Sequence, residues 1–206
     1  MKKPNFENLT RENFDRFVED ASVCLLGAAQ RLVIFESLNS VSQEKTFHHA
    51  IISACLRDAV TMLYSVCEDR WRYGGIIGVS GHVIKKVEAE FDSWIREQFC
   101  GVHAELKSLM RARPQKIITR IKLVRDDATA HFPQSRHNNQ EHRPLSYEEA
   151  WEVLSWAAEI MDTLVPVLRP GFGFKLDRED LVRKAADVFS KPLLIETLDA
   201  SYITAR

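Results

Sequence analysis

Residues 146–168 read SYEEAWEVLSWAAEIMDTLVPVL, and this segment decides the fold class. Ser146 and Glu149 form an S-x-x-E capping box, a common start of a helix. Behind the box, apolar residues recur every three or four positions, which is the spacing of one helix face. These positions are Tyr147, Ala150, Leu154, Ala157, Met161, Leu164 and Leu168. The segment therefore predicts a long helix, closed by Pro166 and by the pair Pro170-Gly171.

The same periodicity predicts four long helices before this one. The five predicted helices span about residues 10–38, 47–69, 84–109, 115–132 and 147–168. Thr10 is a favourable cap for the first helix, and Pro114 stands where a first-turn proline is favoured in the fourth. Residues 70–81 hold four glycines, which predicts a loop. Gly101 is expected to kink or split the third helix.

No segment alternates apolar and polar residues with a period of two, so no strand is predicted. Five main helices joined by short polar loops predict an all-α antiparallel bundle. Residues 1–175 form this predicted bundle. Residues 176–206 form a C-terminal appendage, with one more short helix from about Asp177, its cap, to Ser190.

The composition limits the possible functions. The chain has 206 residues, which is enough for one domain with a substantial core. It holds 28 Lys and Arg against 29 Asp and Glu, a net charge of -1 with neutral histidines. The protein therefore has no global basic field, and any nucleic-acid binding must depend on a local patch.

The sequence predicts a cytoplasmic protein. The charged first eight residues are not followed by an apolar run, so a signal peptide is not expected. No run approaches the roughly 18 apolar residues of a membrane span. The four cysteines, at positions 24, 55, 67 and 100, include no C-x-x-C pair. We expect them to be buried free thiols in a reducing compartment.

Most signatures of enzymes and metal sites are missing from the sequence. It has no glycine-rich phosphate loop, no H-E-x-x-H and no G-x-S-x-G. His48 and His49 are adjacent and would point to different faces of a helix. His137 and His142 share one polar loop, which is a poor frame for a metal. We therefore expect no metal and no cofactor.

The fourth predicted helix and its approach carry an uninterrupted basic strip. Its seven members are Lys107, Arg111, Arg113, Lys116, Arg120, Lys122 and Arg125. The strip has two interpretations. Its members either bind phosphate, with Lys116, Arg120 and Lys122 contacting RNA, or pair with the acidic fifth helix. The acidic residues of that helix are Glu148, Glu149, Glu152, Glu159 and Asp162.

At the end of the strip, residues 125–131 read RDDATAH. This R-x5-H motif, late in an all-α bundle and with a polar residue after the Arg, resembles the HEPN superfamily. Within that superfamily the chain looks like the abortive-infection and toxin-type branch. The arrangement of helices is similar over about residues 10–168, whereas the motif itself covers seven residues.

The resemblance implies a metal-independent endoribonuclease that works as a homodimer. Arg125 and His131 of both subunits would meet in one cleft as the catalytic residues, with Asp126 as the accompanying polar residue. The biological setting would be that of a toxin–antitoxin or phage-defence protein, with RNA as substrate and an antitoxin protein as a further partner.

The R-x4-6-H pattern occurs three times, and context separates the matches. Arg136/His142 lies in a polar loop, and Arg96/His103 crosses Gly101 among acidic residues. Only Arg125/His131 combines a polar follower, a basic approach and a helical frame. The chemistry also needs these residue types. A histidine can transfer protons near neutral pH, and an arginine can hydrogen-bond two phosphate oxygens at once.

Helical geometry places this pair beside an apolar stripe. At about 100° per residue, Arg125 lies about 70° to one side of the stripe and His131 about 50° to the other. The stripe is formed by Ile117, Ile121, Val124 and Ala128. Such a face suits a partner helix across a two-fold interface, and it equally suits packing in the protein's own core. The alternative function is a non-catalytic binding module for a nucleotide, nucleic acid or protein, with a structural His131.

Overall fold

The computed structural model describes residues 10–41, 47–67, 75–89, 93–129 and 145–190, and every regular element in these ranges is an α-helix. The eight helices there are α1 (Arg11–Val41), α2 (Phe47–Val66), α3 (Ile76–Ala89), α4 (Ser93–Phe99), α5 (His103–Arg111), α6 (Gln115–Thr129), α7 (Tyr147–Leu168) and α8 (Arg178–Ser190). The predicted all-α class is confirmed.

Three helices begin at caps that the sequence predicts. The backbone N–H of Asn13 donates to Thr10 Oγ1 at 3.2 Å. At the start of α7, Ser146 and Glu149 make both bonds of the capping box. Asp177 Oδ1 accepts from the backbone N–H of Asp180 at 3.0 Å. Each bond satisfies a backbone donor that has no partner inside its own helix, which fixes where the helix starts.

The predicted loop over residues 70–81 is wrong in its second half, because α3 begins at Ile76. Ile76, Val79 and Val83 are fully buried there. Burying one such side chain contributes about 1.5 to 3 kcal/mol, whereas a glycine inside a helix costs about 1 kcal/mol. The free energy gained by burying these side chains therefore outweighs the cost of the helical glycines, on which the predicted loop was based.

The predicted long third helix is divided. A turn that contains Gly101 separates α4 from α5, which confirms that this glycine splits the helix. Residues 90–92, between α3 and α4, lie outside the described residues.

The core is organised around α7, which contacts α1, α2, α4, α5 and α6. Its buried residues extend beyond the predicted stripe to Trp151, Val153, Trp156 and Ile160. Trp156 Nε1 also donates to the carbonyl oxygen of Leu109 at 2.9 Å, which ties α7 to α5. A helix that is apolar on most sides is a central helix of a bundle.

The predicted closure of α7 at Pro166 is wrong. The helix continues through this exposed proline to Leu168, and the backbone N–H of Arg169 donates to the carbonyl oxygen of Val165 at 2.9 Å. Chain reversal follows at Gly171, whose φ of 89° favours glycine. The proline lies in the last turn, where its missing N–H removes only one helical hydrogen bond.

The C-terminal helix α8 packs on α1. The Arg178 guanidinium lies 5.1 Å from the ring centroids of both Tyr147 and Trp151, and it pairs with Glu148 at 3.4 Å. The Tyr147 hydroxyl donates to Glu36. Burial, followed by this bond to Glu36, raises the pKa of Tyr147 to about 12. Arg178, the first residue of α8, thus links this helix to α7.

The four cysteines are free thiols in different environments. Cys67 is buried, and burial raises its pKa to about 12. Cys24 and Cys55 are half-buried and Cys100 is exposed, so the expectation of burial holds for Cys67 alone. Among the helices of the described ranges, none has the length and apolar character needed to cross a membrane.

Candidate functional site

The candidate site lies along α6. Pro114 precedes the first helical residue, and its carbonyl oxygen accepts from the backbone N–H of Ile118 at 3.0 Å. The proline is therefore one position earlier than predicted. Thr119 Oγ1 donates to the carbonyl oxygen of Gln115 at 2.9 Å and accepts from Gln115 Nε2 at 3.3 Å. The first turns of α6 are thus fixed by local bonds.

One face of α6 belongs to the core of the same chain. Ile121 is 0% exposed and Ile118 is 9% exposed, and Ile117 packs against the core as a partly buried residue. α6 packs mainly on α2 and α7. The structure therefore favours packing within the protein's own core for this half of the predicted stripe. The side chains of Val124 and Ala128 lie outside the described residues.

Arg125 occupies a position on this same helix face. It follows Ile118 by seven residues and Ile121 by four, which is the spacing of residues that share a face. The sequence placed Arg125 beside the stripe. Because Ile118 is buried as well as Ile121, the buried face in the first half of α6 is wider than the predicted stripe. The side chains of Arg125 and Asp126, and the whole of His131, lie outside the described residues.

The two other matches to the R-x4-6-H pattern differ in their placement. Arg96 lies on α4, whereas His103 is the first residue of α5. His103 Nε2 is 3.6 Å from Glu88 Oε1. The turn between α4 and α5 thus puts these two residues on different helices. Arg136 and His142 lie outside the described residues.

Part of the basic strip pairs internally. Lys107 Nζ donates to Glu88 Oε1 at 2.5 Å, which links α5 to α3. The hydrogen bond and the charge of Lys107 lower the pKa of Glu88. The sequence predicted that acidic partners of the strip would lie on α7. The partner of Lys107 lies instead on α3, a helix that the sequence predicted only in part.

Arg120 pairs with α7 in a two-point ion pair. Its Nη1 donates to Glu149 Oε1 at 2.5 Å and its Nη2 donates to Glu149 Oε2 at 2.9 Å. The two side chains are only 13% and 17% exposed. The hydrogen bond from Arg120 is the main cause that lowers the pKa of Glu149 to about 2. Arg120, which the sequence placed among the RNA-binding residues, therefore acts as a link between α6 and α7.

Lys116 and Lys122 are both exposed but lie on different sides of α6. At about 100° per residue, Lys116 is about half a turn away from position 125, whereas Lys122 is about 60° from it. Of the three residues predicted to bind RNA, Lys122 alone is both exposed and on the side of Arg125.

The structure also brings together residues that sequence reasoning did not join. Arg113 and Lys122 line one cavity with Tyr64 from α2. Tyr64 lies 49 residues before Arg113 in the chain, so no local spacing connects them. Within the ranges that the structure describes, no three His, Cys, Asp or Glu side chains come together as a metal site.

Comparisons with known proteins return no relative for this chain. No family model matches it, and no curated protein and no solved structure matches it either.

Proposed function

We propose that this protein is a metal-independent endoribonuclease, with a composite site made by Arg125 and His131 of two copies. The observation that supports it is the order of cationic residues along α6. Exposed Lys122 is followed three residues later by position 125, about 60° around the helix, and His131 follows Arg125 by six residues in the sequence. A phosphate-binding cation and the catalytic pair would thus contact one RNA strand in succession.

The proposed reaction uses the RNA's own 2′-hydroxyl. One His131 removes the proton of the 2′-hydroxyl, whose oxygen attacks the adjacent phosphorus. The bond from phosphorus to the 5′ oxygen breaks, and the second His131 donates a proton to that oxygen. The two Arg125 guanidinium groups stabilise the negative charge on the phosphate oxygens. The products are a 2′,3′-cyclic phosphate and a 5′-hydroxyl, and Asp126 is the accompanying polar residue.

The homodimer of this proposal uses the C-terminal part of α6. Ile118 and Ile121 in the first half are occupied by the protein's own core. The two-fold axis would therefore pass near Arg125, which brings two copies of the pair together. The toxin or phage-defence setting and the antitoxin partner rest on the resemblance in sequence alone, since fold analogy does not establish function.

The second candidate is a non-catalytic binding module with a structural His131. It is favoured by the Arg120–Glu149 ion pair, because internal pairing removes part of the strip from phosphate binding. The experiment that separates the two candidates is incubation of the purified protein with single-stranded RNA in EDTA. Products that end in 2′,3′-cyclic phosphate support the nuclease, and intact RNA that stays bound supports the binding module.

A further inference from the structure

A cavity of about 230 Å³ lies between α2, α3 and the first turns of α6. Its apolar part is formed by Ile77, Ile118 and Ile121. Tyr64 from α2 adds an aromatic ring to the lining. Pockets for drug-sized ligands begin at roughly 300 Å³, so this cavity fits one small group or encloses a larger ligand only in part.

Two cations line this cavity. Arg113 precedes α6 and Lys122 lies in its second turn, nine residues later. Among the described lining residues there is no Asp or Glu. The two cations therefore favour a ligand with negative charge, and the same lining offers it aromatic and apolar surface.

A ligand with two phosphates and one flat ring fits this set of lining residues. A nucleotide inside a strand has phosphates at its 5′ and 3′ oxygens, whereas a free nucleoside monophosphate has only one. Single strands are commonly held by basic grooves in which bases stack on aromatic side chains. The two cations of this lining therefore favour a nucleotide within a strand, which has two phosphates, over a free mononucleotide, which has one.

The cavity also lies on the side of the helix where the proposed reaction takes place. Position 125 follows Ile121 by four residues and Lys122 by three. It therefore lies one turn beyond the cavity, on the side of α6 that lines the cavity. A strand that leaves the cavity past Lys122 would reach Arg125 next. Lys116 lines no part of this cavity.

We infer that this cavity is a subsite for one nucleotide of an RNA strand, with its base against Tyr64 and its two phosphates at Arg113 and Lys122. The inference rests on the proposed function and deepens it, because it assigns a path along α6 to the substrate. The subsite acts in binding and takes no part in the bond changes.

The test uses the full-length protein and a ten-nucleotide 2′-O-methyl RNA, which cannot be cleaved through its 2′-hydroxyl. Fluorescence anisotropy then compares Lys122→Gln and Arg113→Gln with the control Lys116→Gln, a change of the same charge on the same helix. Each cavity variant is expected to weaken binding about tenfold. Each should also lower the salt slope, which is the steepness of the fall of log affinity with log salt concentration, by about one. The control should change the affinity less than about threefold.

A competition experiment tests the two-phosphate geometry. Uridine 3′,5′-bisphosphate should displace the RNA from the wild-type protein at a lower concentration than uridine 5′-monophosphate. The difference should disappear in Lys122→Gln, an exposed substitution that leaves the fold intact. Equal competition by the two nucleotides in the wild type would overturn the inference. It would also be overturned if Lys122→Gln behaved like Lys116→Gln, or if a polyglutamate peptide displaced the RNA equally well.

The inference can fail separately from the proposed function. Because the RNA probe is not cleavable, loss of affinity in the cavity variants supports the subsite whether or not the protein cuts RNA. If Lys122→Gln and Arg113→Gln bind the probe as tightly as the wild type while ordinary RNA is still cleaved, the subsite is contradicted and the proposed nuclease is not.

Discussion

Arg120 on α6 and Glu149 on α7 hold each other through two hydrogen bonds, and Glu149 Oε2 also accepts from the backbone N–H of Ser146 at 2.9 Å. One carboxylate thus joins two helices and caps one of them. The pair fixes the orientation of α6 against α7, and with it the placement of Lys122 and Arg125 farther along α6.

Removing the charge of Glu149 should destabilise the fold. Glu149→Gln keeps a side chain that can serve the capping box, but it leaves Arg120 without its counter-charge in a largely buried place. We expect a loss of about 2 to 3 kcal/mol in the free energy of unfolding, measured by urea denaturation at pH 7. Glu152→Gln, an exposed change on the same helix, is the control and should cost less than about 0.5 kcal/mol.

The effect of this substitution should depend on pH. The pKa of Glu149 is lowered to about 2 in the folded protein, below its usual value near 4.3 in an unfolded chain. The stabilisation from the charged form is therefore complete above about pH 4.5 and declines as the pH falls toward 2. The difference between wild type and Glu149→Gln should be smaller at pH 3 than at pH 7. A difference independent of pH would show that the charge does not stabilise the pair.

Arg120 should contribute little to counterion release on RNA binding, because its charge is already neutralised by Glu149. Arg120→Gln is expected to lower the stability while leaving the salt slope of RNA binding within about 0.3 of the wild-type value. Lys122→Gln should lower that slope by about one. A fall of the slope by one in Arg120→Gln would mean that the ion pair opens and Arg120 contacts phosphate.

Arg178 should hold α8 on the bundle. In Arg178→Ala, the contacts with the Tyr147 and Trp151 rings and with Glu148 are lost together. A cation above an aromatic ring contributes about 0.5 to 2 kcal/mol, so backbone amides of α8 should exchange their hydrogens about tenfold faster. Arg183→Ala is the control, because Arg183 is 74% exposed and pairs with Asp180 of the same helix. Equal exchange in both variants would contradict this role.

The proposed composite site requires a dimer in solution. Sedimentation equilibrium at micromolar concentration should give about twice the mass of the chain, and stable interfaces of this kind bury about 1,200 Å² or more in total. A monomer at that concentration would contradict the composite site, since one Arg125 and one His131 provide only half of the proposed groups.

The parts of the fold that depend on neighbouring residues could be predicted from the sequence. The caps at Thr10, Ser146 and Asp177 each depend on an oxygen three residues before the N–H that it accepts from, and all three were found. The start of α3 could not be predicted, because it depends on burial of Ile76 by elements distant in the chain.

The limits at the candidate site have the same physical cause. Lys116, Arg120 and Lys122 look alike in the sequence, because helix spacing gives the side of α6 but not what lies opposite it. Arg120 differs from the two lysines because it pairs with Glu149, and Glu149 lies 29 residues away from Arg120 in the chain. The cavity is lined by Tyr64 of α2 and by Arg113, which precedes α6, and no local pattern connects these two residues.

The most direct test of the central claim is the rate of RNA cleavage in EDTA by His131→Ala, with the dimer verified in the same sample. Loss of one acid–base group typically lowers the rate by about 10² to 10⁴, and Arg125→Ala should lower it by about 10² to 10³. The controls Arg136→Ala and His142→Ala should keep wild-type activity. The account predicts a folded, inactive His131→Ala dimer. A fully active His131→Ala dimer, or a variant that unfolds because His131 is a core residue, would contradict it.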